Sequence, residues 1–170
     1  TSSQRLWRSM DGGRTWKVLS GDLTRHAPET QEKSGGPITG DMNGPEVYAV
    51  IFSVAPGKKN VNVIWTGSDD GLVNVTKDGG KTWANVTPAG LSSWSKVTMI
   101  EASHTRYLEA YAAVDRHQLE DFGPHFYRTR DGGKTWQSPR VIMDMYTVND
   151  GSLMQLDQYG NAMGGIRSTW

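Results

Sequence analysis

The 170-residue chain is 36% apolar, with 20 Gly, seven Trp and no Cys. That is enough to bury one sizeable core, and the excess of Gly and Trp suits a turn-rich all-β protein. Lys+Arg and Asp+Glu both number 18, so no basic field draws in nucleic acid or an anionic membrane; disulfides and Cys-based zinc sites are excluded, and no apolar run is long enough to span a bilayer.

The first predicted element is a hairpin, residues 5–9 and 14–19, around Ser9-Met-Asp11-Gly-Gly13-Arg-Thr15-Trp16. Asp-Gly-Gly supplies a carboxylate that bonds backbone N–H groups within the turn, followed by two residues free to take positive φ. Asp-Gly between apolar runs is a strong hairpin signal, and Thr and Trp are good strand residues. Residues 21–46 form a connector rich in Gly, Pro, Thr and charge, of a length usually functional or disordered. Its Ser34-Gly-Gly-Pro-Ile-Thr-Gly40 lacks the Gly-Lys-Ser/Thr of a phosphate loop.

Val47–Val54 is nearly continuously apolar and reads as a buried inner strand. A turn at 56–60 leads to strand 61–67, and Ser68-Asp69-Asp70-Gly71 turns the chain into 72–76. A second octet, Thr76-Lys-Asp78-Gly-Gly80-Lys-Thr82-Trp83, then opens a fourth strand to Thr87. After a linker at 88–96, strands are expected at 97–102 and 108–114, then an insertion at 116–125. The third octet is Thr129-Arg-Asp131-Gly-Gly133-Lys-Thr135-Trp136. Beyond it, 141–148 and 152–156 read as strands in an otherwise irregular tail, 141–170, that is expected at most to start a further unit.

Self-similarity of this kind signals a repeat architecture. The octets, complete at Ser/Thr-x-Asp-x-Gly-x-Thr-Trp, resemble the Asp-box, or bacterial neuraminidase repeat. Stretches between them, including Asp22-Leu-Thr-Arg25 and Val114-Asp-Arg-His117, are most similar to bacterial sortilin-like repeat proteins. The resemblance covers roughly residues 5–140. It implies an all-β fold: a partial β-propeller of four-stranded antiparallel blades, with each octet as an outer hairpin. The segment 1–140 would then comprise a half blade (1–20) and two blades (47–87 and 97–138). Two and a half blades do not close a ring, so completion is expected either from the remainder of a longer propeller or from other copies in a homo-oligomer.

The triplicated Asp11, Asp78 and Asp131 are expected to staple turns rather than catalyse. Asp69 and Asp115 both follow a second strand, and with Asp70, Arg116, His117 and Asp121 they are the candidate ligand contacts. Asp115, His117, Glu120, Asp121 and His125 offer carboxylates and imidazoles, yet their spacing matches no metal signature; neither a metal nor a cofactor is expected. The expected function is a non-enzymatic module binding a protein, peptide or glycan through inter-blade loops. The resemblance implies that it is secreted or periplasmic. The alternatives are a glycoside hydrolase fragment using a pair among Asp69, Asp70, Asp115 and Asp121, and a self-assembling structural protein. The arginine triad of sialidases is not expected to assemble.

Overall fold

The computed structural model describes residues 3–32 and 48–138, together with the backbone of Gln155–Leu156 and Ala162–Met163. The chain divides into two compact units, Thr1–Ser138 and Pro139–Trp170.

In the first unit, β1 (Trp7–Arg8) and β2 (Lys17–Val18) pair antiparallel across the first octet, Trp7 opposite Val18. Within the connector, Pro28–Thr30 form a short 3-10 turn; its residues 33–46 lie outside the described residues. A four-stranded antiparallel sheet follows, made of β3 (Ile51–Pro56), β4 (Ile64–Ser68), β5 (Val73–Thr76) and β6 (Ala84–Asn85) in sequence order. The next sheet contains β7 (Lys96–Ala102), β8 (Ala110–Arg116) and β9 (Asp121–Thr129). In the second unit, β10 (Gln155–Leu156) pairs with β11 (Ala162–Met163). The strand expected at 141–148 lies outside the described residues.

The core sits between the two larger sheets. Strands β4 and β5 are buried along their whole length, and Val63, Trp65, Val73, Val75, Val97, Ile100, Ala110 and Ala112 form one cluster. Gly67 allows this approach, because a Cβ there would collide with Val97. Trp136 of the third octet meets Trp65 edge to face, with centroids 6.2 Å apart at 75°, a favoured aromatic geometry.

Three expectations change. The buried inner strand expected at Val47–Val54 is displaced to Ile51–Pro56, and Phe52 and Val54 are 50% and 44% exposed. One face of β3 is therefore open, with the Lys96 ammonium 3.8 Å from the Phe52 ring centroid. The insertion is largely strand: β8 runs on through Arg116, a 3-10 turn covers His117–Leu119, and β9 starts at Asp121, with Arg116 opposite Asp121 and Val114 opposite His125.

Among the described residues the third sheet also has three strands rather than four, followed by a single bridge, Arg128 to Gln137. In the first two hairpins the residue three after the octet Trp donates its N–H back across the ladder, Leu19 to the Leu6 carbonyl and Val86 to the Val73 carbonyl, both at 2.8 Å. The matching residue after Trp136 is Pro139, which has no N–H to give.

Candidate functional site

Each octet builds the same ring of bonds. The Asp11 carboxylate accepts the Ser9 hydroxyl (2.8 Å), the Thr15 backbone N–H (2.9 Å) and the Thr15 hydroxyl (2.6 Å). Asp78 is held likewise by Thr76 and Thr82, and Asp131 by Thr129 and Thr135. Ser9, Thr76 and Thr129 in turn accept the N–H of Gly13, Gly80 and Gly133. Donation from the threonine hydroxyl and N–H holds Asp11 and Asp131 down at about 2, and Asp78 lower still. The carboxylate oxygens are thus engaged inside their own turns.

The chemistry collects elsewhere, in a cleft of about 120 Å³ lined by Tyr48, Asp69, Trp94, Lys96, Asp115, His117 and Gln118. The β-ladders explain why Asp69 and Asp115 arrive together. Asp69 exchanges bonds with Val50: its N–H donates to the Val50 carbonyl at 3.0 Å, and its Oδ1 accepts the Val50 N–H at 2.7 Å. Asp115 lies directly opposite Lys96 on β7. Both carboxylates therefore mark the end of a second strand beside the start of a first, one in each sheet.

Their environments pull them apart. Burial, with the charge of neighbouring Asp70 adding to it, raises Asp69 above the usual carboxylate range despite the Val50 N–H. Asp115 is lowered, chiefly by the His117 backbone N–H at 2.9 Å and further by the His117 ring, whose Nδ1 lies 2.7 Å from Oδ2.

The wall of the cleft is aromatic. Tyr48 and Trp94 stack with centroids 4.2 Å apart and planes 19° from parallel, and the Tyr48 hydroxyl accepts the Trp94 backbone N–H at 2.6 Å. Burial pushes the Tyr48 phenol up to about 12, so it stays protonated. Trp94 holds φ at +66°, as does Ala49. A bulky residue there is a genuine outlier, and such outliers cluster at binding sites. Trp94 is nevertheless 37% exposed.

Other candidates fall outside this cleft. Asp70 is 1% exposed and fully engaged: it accepts the Ser68 hydroxyl and the backbone N–H groups of Arg25 and His26, tying the connector to the sheet. Arg116 and Asp121 face each other at 3.4 Å, and Asp121 also holds His125 at 2.8 Å, an arrangement that clamps the β8–β9 extension. Arg106, Arg128 and Arg130 do converge, but on Glu109, which is 3% exposed. Burial pushes Glu109 up, and the Tyr111 hydroxyl and Arg128 outweigh it, holding the carboxyl below its usual range. Those guanidinium groups are directed at a protein carboxylate rather than at an open anion cradle.

Among the described residues no cluster of three His, Cys, Asp or Glu side chains suits a metal ion, and no helix is long and apolar enough to cross a membrane. Sequence reasoning missed Tyr48, Trp94, Lys96 and Gln118. The available signal was an aromatic residue, Trp94, in the short linker between two strand-rich segments.

Among solved structures the chain is similar to an ancestral GH74 enzyme, with TM-score 0.53 and 17% identity over 81% of this chain and 15% of that one. It is also similar to YCF48 bound to a D1 peptide (TM-score 0.47, 21% identity, 79% of this chain and 33% of that one). YCF48 from Cyanidioschyzon merolae matches at TM-score 0.41 and 25% identity over 56% of this chain and 25% of that one. The chain thus spans a third or less of each of these proteins. No family model matches it, and no curated protein does. An all-β chain of antiparallel sheets, repeated hairpins and this structural likeness together make the fold that of a partial β-propeller.

Proposed function

We propose that this chain is a non-catalytic binding module whose ligand, a glycan, enters the cleft between the two larger sheets. The carrying observation is the convergence there of an aromatic wall and two carboxylates on a strained backbone. A sugar ring presents C–H groups to an aromatic face and hydroxyls to acceptors, and Asp69, Asp115 and Gln118 supply acceptors beside Trp94. The cleft is small against the ~300–1,000 Å³ of pockets that engulf a drug-sized ligand. That size suits one sugar unit of a longer chain lying across the surface. The extracytoplasmic location implied by the sequence resemblance suits such a ligand. The carboxylate rings in all three turns support reading the octets as Asp-boxes acting as staples, and the wording between them supports kinship with sortilin-like repeat proteins.

The test is a titration of the chain with neutral and sialylated oligosaccharides and, in parallel, with a peptide library. Saturable oligosaccharide binding that weakens about tenfold or more in Trp94→Ala supports the reading. Peptide binding at the same residues, with no oligosaccharide binding, would replace glycan by peptide as the ligand class.

One observation favours a second reading, a glycoside hydrolase fragment. Environments that drive two carboxyls in opposite directions separate an acid from a base, and Asp69 is raised while Asp115 is lowered in the same cleft. Robust hydrolysis of soluble β-glucans or sialosides, abolished in Asp115→Asn, would establish it over binding alone.

A further inference from the structure

The second and third octets each seat part of the preceding repeat in the same way. The Trp83 indole N–H donates to the Leu19 carbonyl at 3.1 Å, and that of Trp136 to the Val86 carbonyl at 2.5 Å. Leu19 and Val86 are equivalent, each lying three residues past the preceding octet's Trp. The same two residues press on the second glycine of the octet: a Cβ at Gly80 would collide with the Leu19 side chain, and one at Gly133 with Val86. Both glycines hold positive φ, +95° and +86°, leaving a shallow cradle for one branched aliphatic side chain and its carbonyl.

The first octet has the same residues in an open arrangement. The Trp16 indole N–H bonds its own turn, at the Gly13 carbonyl (3.0 Å), and the nearest atom to a Cβ on Gly13 would be the Trp16 ring itself, at 3.7 Å. Trp16 is 60% exposed, and in the same hairpin Trp7 is 46% and Met10 85% exposed. An indole donor, a glycine cradle and exposed apolar surface thus stand in the pattern that the other two octets use to grip a strand.

We infer that the first octet is a docking site for the outer β-strand of another blade, one with a branched aliphatic residue three positions after a Trp. Its carbonyl takes the Trp16 indole N–H and its side chain covers Gly13. The occupant's chemistry is read from the two filled cradles, and the contact extends an interface repeated twice within the chain.

The experiment follows tryptophan indole N–H signals of the full chain by NMR, with Trp16 assigned from Trp16→Phe. The probe is a synthetic peptide of residues 80–89, the strand that fills the third cradle, added to millimolar concentration and also fused ahead of the chain through a flexible linker to raise its effective concentration. The expected result is a shift of the Trp16 indole signal, with those of Trp83 and Trp136 unmoved, and an affinity at least about tenfold weaker when the peptide carries Val86→Asp, since a buried carboxylate replaces apolar contact. An unchanged Trp16 signal in the fused chain overturns the inference. A shift with chain concentration alone supports it, with the Val86 strand of a second copy as the occupant, whereas a shift on truncation after residue 138 overturns it by assigning the site to residues 139–170.

Discussion

At the scale of single residues, the three octet aspartates do the same local work in different surroundings. Thr76 is fully buried and Thr129 nearly so, whereas Ser9 is only half-buried. Removing Asp78 leaves the Thr76 hydroxyl without its acceptor in a dry site, while water can serve Ser9 when Asp11 is removed. Asp78→Ala is therefore expected to lower the thermal midpoint more than Asp11→Ala, as measured by circular dichroism. The same carboxylates make stability pH-dependent. Their folded pKa values lie below the unfolded value of about 3.9, so their stabilisation is fully present above that value and is lost as pH falls toward about 2 for Asp11 and Asp131, and lower still for Asp78. An acid titration should show this loss between about pH 4 and pH 2, reduced in Asp131→Asn. Asp69 has the opposite sign: its folded pKa is raised, so its contribution is favourable while protonated and is lost as pH rises through the folded value. Asp69→Asn, which keeps an oxygen for the Val50 N–H, should leave the fold at least as stable at pH 7 in a urea titration.

At the scale of elements, the glycines separate a turn's own geometry from packing between repeats. Gly13→Ala meets only the cost of positive φ, about 1–2 kcal/mol, because nothing but the Trp16 ring lies within 4 Å. Gly80→Ala meets that cost and drives a methyl group into Leu19, so urea unfolding should find it the more destabilising of the two. Val97→Ala removes a fully buried side chain at the contact between the two larger sheets and should cost about 2 kcal/mol. The hairpins were legible in the sequence because their chemistry is local: the carboxylate, glycines, threonine and Trp all lie within eight residues. The equivalence of Asp69 and Asp115 was legible because each ends a second strand. The β8–β9 extension was not, since Gly123, Pro124 and the charges around them read as loop. Pro124 fits a strand here because β9 has no strand beyond it at that point among the described residues, and an edge position asks for no N–H. The aromatic wall was hidden because Tyr48 and Trp94 lie 46 residues apart, outside any octet, and only the stacking of one sheet on the next joins them.

At the scale of the whole molecule, the octets act as constant fasteners, and the variable chemistry sits where strand ends of neighbouring sheets meet. The fold predicts that a change at a fastener lowers stability, and the proposed glycan-binding role predicts that a change at the Tyr48–Trp94 wall lowers affinity with the fold intact. The measurement that tests this division most directly is calorimetric titration of the full chain and of Trp94→Ala with the best-binding oligosaccharide, each paired with a thermal melt. The parent is expected to bind saturably and the variant at least about tenfold more weakly, with closely similar melting midpoints for both. Equal affinity of parent and Trp94→Ala, or loss of binding that tracks unfolding of the variant, would contradict this division.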